Sequence, residues 1–153
     1  GTSRRQRQMC IRDRDYTKCK FSDGQDLQGS FLPNSNLSFA SFIQVNFDKS
    51  IMMNSNLAFG TFSESSFIRA NLYESTLTGA NFEQSNFTSA NLTRADFMGA
   101  TLIDVNFQNS NLMEANFTSS NILNANFEGA NLIGATWTNG EVCGPDSIGT
   151  CNK

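Results

Sequence analysis

Residues 80–99 read ANFEQ SNFTS ANLTR ADFMG, four groups of five with one plan. A small residue comes first, then Asn or Asp, then a large apolar residue, then two variable ones. Outward from this stretch, every fifth residue is large and apolar without a break: Leu27, Leu32, Leu37, Phe42, Phe47, Met52, Leu57, Phe62, Phe67, Leu72, Leu77, Phe82, Phe87, Leu92, Phe97, Leu102, Phe107, Leu112, Phe117, Ile122, Phe127, Leu132 and Trp137. A period of five fits neither the helical repeat near 3.6 nor the strand repeat of 2. On a helix the apolar positions would smear around the cylinder, and on a flat strand they would alternate faces. The period works when the chain turns a corner once per pentad, so that every central residue points at a common axis. The Asn, Asp, Ser and Gly between the centres suit repeated tight turns.

Residue identity sets the number of sides. At a step of 20 the centres sort into ladders. Phe47, Phe67, Phe87, Phe107 and Phe127 form one, and Leu32, Leu72, Leu92, Leu112 and Leu132, with Met52, form a second. Phe42, Phe62 and Phe82 form a third, and Leu57, Leu77, Phe97, Phe117 and Trp137 a fourth. Like residues stack well in repeated β-structure. The reading is an all-β solenoid with four sides, 20 residues per coil and about six coils, roughly 27 Å long at the strand spacing.

Pentads such as ANLTR, ADFMG, SNFTS, ANFEG and ANLIG resemble the pentapeptide-repeat family. That resemblance implies a right-handed quadrilateral β-helix over residues 27–138. Solenoids bury a continuous core by neighbour stacking, so one domain accounts for the repeats. Residues 15–26 are then a lead-in or N-terminal cap, and residues 139–153 a C-terminal cap loop.

The ends differ from the repeats. Residues 1–14 hold five Arg, no pentad register, and a composition that resembles the translated linker sequence found at the ends of assemblies; we read them as non-native. The chain carries 11 basic and 14 acidic residues; with this segment set aside, 6 and 13 remain, a net charge of −7. Such a surface repels nucleic acid and anionic membranes, and no apolar run reaches the length of a membrane span. At the other end, Cys143 and Cys151 flank a seven-residue loop. They are either a disulfide that stiffens the cap or two free thiols. The tail resembles the endings of exported bacterial members of the family, so an exported location with a leader missing is expected, and a cytoplasmic one is the alternative. Cys19 is then free or has its partner upstream.

Outward residues also align at a step of 20. Met53, Tyr73, Met113 and Ile133, with Thr93 among them, make an apolar stripe that is the candidate interaction face. β-propensity alone would account for the stripe equally well. Beside it run Asn54, Glu74, Arg94, Glu114 and Gly134. Another side carries Gln44, Glu64, Gln84, Asp104 and Asn124, and Phe39 stacks with Phe59 near the N-terminal end.

The chain has no His, no nucleophile with an identifiable base, no zinc-ligand spacing and no phosphate-binding Gly-rich loop. Catalytic, cofactor-binding and metal residues are therefore none. The expected function is non-enzymatic: an exported structural or protein-interaction module with an unknown protein partner, no direct nucleic-acid binding and no membrane span. The family resemblance carries an alternative, an acidic DNA mimic that binds DNA gyrase in the manner of quinolone-resistance proteins. Sparse acid columns, and a tail too rich in Gly and Pro for a helix, count against it.

Overall fold

A computed structural model describes residues 15–17 and 21–153. The segment 1–14 and Cys19 lie outside the described residues. From Asp26↔Asn46 to Asn116↔Thr136, parallel bridges join residues 20 apart at every pentad. The structure is thus a four-sided coil of 20 residues per turn. The first side is centred on Leu37, Leu57, Leu77, Phe97, Phe117 and Trp137. The second is centred on Phe42 to Ile122, the third on Leu27 to Phe127, and the fourth on Leu32 to Leu132.

Each pentad has one local solution. The residue before the centre pairs with the coils above and below. The centre then points inward, and the chain turns over the next two residues. The second turn residue is left-handed at every pentad from Gly24 to Gly134, with φ between 52° and 75°. Most of these corners are not Gly: Asn34, Glu64 and Arg94 are examples. A non-Gly residue there costs roughly 1–2 kcal/mol. The cost is offset by a turn bond, such as Ala70 N–H to the Phe67 carbonyl (3.0 Å), and by coil-to-coil bonds such as Arg69 N–H to the Thr88 carbonyl (3.0 Å). Where the residue before the centre is Asn or Asp, its side chain accepts from the first turn residue, as Asn86 Oδ1 does from Thr88 N–H (2.9 Å).

The inside is a continuous apolar core. Phe47, Phe67, Phe87 and Phe107 are sealed, and their rings stack at 4.7–5.4 Å. Neighbouring ladders meet edge to face, as Phe97 meets Phe107 at 82°. Coil spacing imposes the parallel stacking, and the edge-to-face contacts supply the arrangement that ring quadrupoles favour. Small residues fill the remaining inward position. At several of the Ser positions the hydroxyl donates to a carbonyl, as Ser75 does to Met52 (2.8 Å) and Ser85 to Phe62 (2.8 Å), whereas the buried hydroxyls of Ser35 and Ser50 have no partner among the described residues.

Apolar stacking continues below Leu27. Tyr16 is buried, and the ring of Phe21 stacks on Phe42 at 4.3 Å. They keep a spacing of five from each other, but Phe21 stands six residues before Leu27, because one extra residue is accommodated between Phe21 and Gly24. Tyr16 and Phe21 do the work of pentad centres one residue out of register.

At the other end Gly140 makes a turn (φ 84°), and the tail folds back over the last coil. It pairs antiparallel at Thr136↔Val142 and Asn131↔Ile148, on the first and fourth sides. Trp137 packs on Phe117 and Phe127 beneath it.

Two substitutions test this core. Phe87→Asp places an unpaired charge among stacked rings and is expected to cost about 4 kcal/mol or more, enough to abolish the β circular-dichroism signal. Phe21→Ala is expected to lower stability by about 1–3 kcal/mol in thermal unfolding. An unchanged melting curve would remove Phe21 from the stack.

Candidate interaction surfaces

On the fourth side, Met53, Tyr73, Thr93, Met113 and Ile133 stand in one column, each half-buried. Their spacing comes from the coil, and at Tyr73, Thr93, Met113 and Ile133 the backbone is also held by the Asn two residues before. The N–H groups of Tyr73, Met113 and Ile133 donate to Asn71, Asn111 and Asn131 Oδ1 at 3.1–3.2 Å. Each such clamp fixes the backbone from which the apolar side chain projects. The face is therefore rigid in its backbone and apolar at its tips.

The corner next to it is ionic. Arg94 Nη1 lies 3.2 Å from Glu74 Oε1, and Nε lies 2.6 Å from Glu114 Oε2. The hydrogen bond to Glu114, then that to Glu74, holds the guanidinium even more firmly protonated than usual. These pairs are exposed and contribute little to stability. Their use is to border the apolar column with a fixed charge pattern.

Two further apolar features lie outside the candidate column. Ile51, on the same side, is exposed and widens the apolar stripe near the N-terminal end. Phe39 and Phe59, at the corner between the first and second sides, are 55% and 56% exposed and stack at 5.3 Å. Both hold φ 58°, an unusual conformation for an aromatic residue. The next residue in that column is Gly79, where a Cβ would stand 2.5 Å from the Phe59 ring. The aromatic pair ends at Gly79 because the ring lies in the space a side chain would take.

The acidic second side is diluted by amides. Gln44 Nε2 donates to Glu64 Oε2 (2.8 Å), and Asn124 Nδ2 to Asp104 Oδ1 (3.1 Å). Among the described residues no three His, Cys, Asp or Glu side chains gather to hold a metal ion, and no helix is long and apolar enough to cross a membrane. An apolar hollow of about 400 Å³ opens at the N-terminal end, lined by Tyr16, Phe21, Leu27, Leu32, Leu37 and Phe42 among others.

Cys143 and Cys151 are joined by a disulfide, with their Cα atoms 5.0 Å apart. Cys143 is only 2% exposed. Its carbonyl accepts from Gly134 N–H (2.9 Å), and its N–H donates to the Ala135 carbonyl (2.8 Å). The bridge thus ties the end of the tail to a residue already bonded to the last coil.

Comparison with known proteins agrees with this geometry. Eight copies of the repeat described as pentapeptide repeats match residues 26–58, 65–102 and 95–134. Among curated proteins none matches significantly. Among solved structures, HetL, a pentapeptide repeat protein involved in heterocyst differentiation regulation from the cyanobacterium Nostoc sp. strain PCC 7120, superposes with a TM-score of 0.72 at 20% identity, over 84% of this chain and 68% of that one. QnrB1 (R167E, trypsin-treated), a plasmid-mediated fluoroquinolone resistance protein, superposes with a TM-score of 0.56 at 21% identity, over 79% of this chain and 70% of that one. At these identities the likeness is one of fold, a right-handed quadrilateral β-helix. With more than half its length matched by the repeats, the chain belongs to the pentapeptide-repeat family.

Proposed function

We propose that this protein is a non-enzymatic scaffold whose fourth side binds another protein. One observation carries the reading: Met53, Tyr73, Met113 and Ile133 form a straight apolar column on a rigid backbone, widened by Ile51 and bordered by the Glu74–Arg94–Glu114 ladder. Apolar tips on a preordered sheet lose little conformational freedom on contact, and a charged border selects among partners. The convex rod offers catalysis no comparable feature, since its carboxylates stand on exposed faces rather than in a cleft.

Export is part of the proposal. The Cys143–Cys151 bridge supports an oxidising compartment, because thiols in the cytosol are kept reduced. The second reading, an acidic mimic of DNA acting on gyrase, draws support from the net charge of −7 of residues 15–153 and from the fold shared with QnrB1. Against it, amides alternate with carboxylates on the second side, whereas duplex DNA carries a charge every ~1.7 Å along its axis.

Met113→Lys is expected to leave the melting temperature within about 2 °C, since a half-exposed side chain carries little of the core energy. The same substitution is expected to weaken partner capture at least tenfold, measured with the wild-type rod as bait in parallel. A large fall in melting temperature would make the column part of the core, and unchanged capture would move the binding face elsewhere. Protection of gyrase supercoiling by the wild-type protein would favour the mimic instead.

A further inference from the structure

The fourth side is bordered by two unlike corners. At its corner with the first side stand Glu74, Arg94 and Glu114, two carboxylates against one guanidinium. At its corner with the third side stand Lys49 and Arg69, one coil apart and both exposed. Ser89 and Asn109 continue that column, so its only charges are basic. Among the described residues neither Lys49 nor Arg69 makes an ion pair. The adjacent carboxylate, Asp48, is engaged on the third side, where its Oδ1 accepts from Ser66 Oγ and from Ile68 N–H. Between the two corners the face is apolar: Ile51 is 38% exposed, and Met53 and Tyr73 beside it are half-buried. The face thus has a basic edge, an apolar middle and an edge in which acid outnumbers base.

Pitch and charge together select what can cover it. The outward columns repeat at the coil spacing of roughly 4.8 Å, which parallel bridges fix at every step of 20. A helix advances about 5.4 Å per turn and falls out of step within a few coils. A second rod of the same chain keeps step along the whole face. If that rod lies antiparallel, each edge is turned onto itself, and Lys49 and Arg69 meet the same basic pair of the second copy. If it lies parallel, related by a two-fold axis along the rods, each edge is turned onto the opposite one. Arg69 then faces Glu74 of the second copy and Glu74 faces its Arg69, while Ile51 and Met53 meet across the middle. The other charges meet neutral groups: Lys49 stands opposite Asn54, Arg94 opposite Ser89, and Glu114 opposite Asn109. Like charges oppose the antiparallel arrangement as firmly as the ion pairs favour the parallel one.

We propose that the fourth side is a self-recognition surface, on which a second copy of this chain docks parallel and side by side through two Arg69–Glu74 pairs around Ile51 and Met53. This assignment rests on the fourth-side reading and names its occupant. The contact is isologous and closes on two copies. A single narrow face belongs with the weak interfaces, so the pair is expected at high protein concentration.

The test is sedimentation equilibrium of the full chain up to roughly 1 mM, with circular dichroism on the same samples. The wild-type protein is expected to approach twice the monomer mass and stop there. Arg69→Glu and Glu74→Arg are each expected to keep the β signal and to raise the dissociation constant about tenfold or more, since each sets like charges face to face. Mixed in equal amounts, the two variants are expected to pair with each other, because the two substituted side chains then face one another with opposite charge and so do the two unsubstituted ones. A mixture no heavier than the separate variants overturns the proposal, as does mass that passes the dimer. A single wild-type mass at every concentration also overturns it; the fourth-side reading then stands if Met113→Lys weakens capture of an unlike protein, and falls with it if capture is unchanged. A doubling that neither charge substitution alters places the contact on another face and overturns the proposal as well.

Discussion

The spacing between coils governs this molecule. Parallel backbone bonds repeat every 20 residues, so each inward side chain must stack on its counterpart one strand spacing away. Flat rings and aliphatic chains that branch beyond Cβ meet that demand, which is why Phe and Leu fill the ladders. The same spacing leaves the second inward position narrow, and Ala, Ser and Val occupy it. Even the left-handed corners follow, since a four-sided coil needs a sharp turn in every pentad and the neighbouring coils hold it in place.

A solenoid stabilised by its neighbours is weakest where neighbours are missing. The two ends of this rod meet that problem in different ways. At the N-terminal end, Tyr16 and Phe21 extend the apolar stack below Leu27 and leave a hollow beside it. At the C-terminal end, the tail turns back antiparallel and pairs with the first and fourth sides, while the Ile122, Asn124, Phe127 and Gly129 N–H groups of the second and third sides have no backbone partner among the described residues. An antiparallel tail covers an edge without offering a new one in coil register, so it halts the repeat as well as capping it. The disulfide secures that arrangement with a covalent link instead of additional buried area, which the short tail does not have.

The outer faces are free to vary because the backbone bonds, and not the outward side chains, hold the coils together. That freedom lets one column collect Met, Tyr and Ile beside an Arg between two Glu residues without disturbing the interior. It also lets an aromatic pair, Phe39 and Phe59, persist at a corner in a conformation that aromatics seldom adopt. Function in such a rod is carried by columns of side chains, and a column is a sum over coils that no single pentad contains.

The sequence by itself determined the four-sided all-β coil, the 20-residue turn and the inward ladders from Phe47 to Phe127, because a strict period of five with like residues at a step of 20 has one good packing solution. It also brought Met53, Tyr73, Met113 and Ile133 into one column. It did not disclose that Tyr16 and Phe21 join the stack, since a single extra residue before Gly24 breaks the period on which the reading depends. Nor did it decide how the tail would lie: Cys143 and Cys151 were compatible with a bridge or with free thiols, and only their placement against Gly134 and Ala135 shows the bridge and the two sides it protects. Periodic packing is local and repeats, so it is legible in the chain; the closure of an end depends on contacts that occur once, and these exist only in the folded molecule.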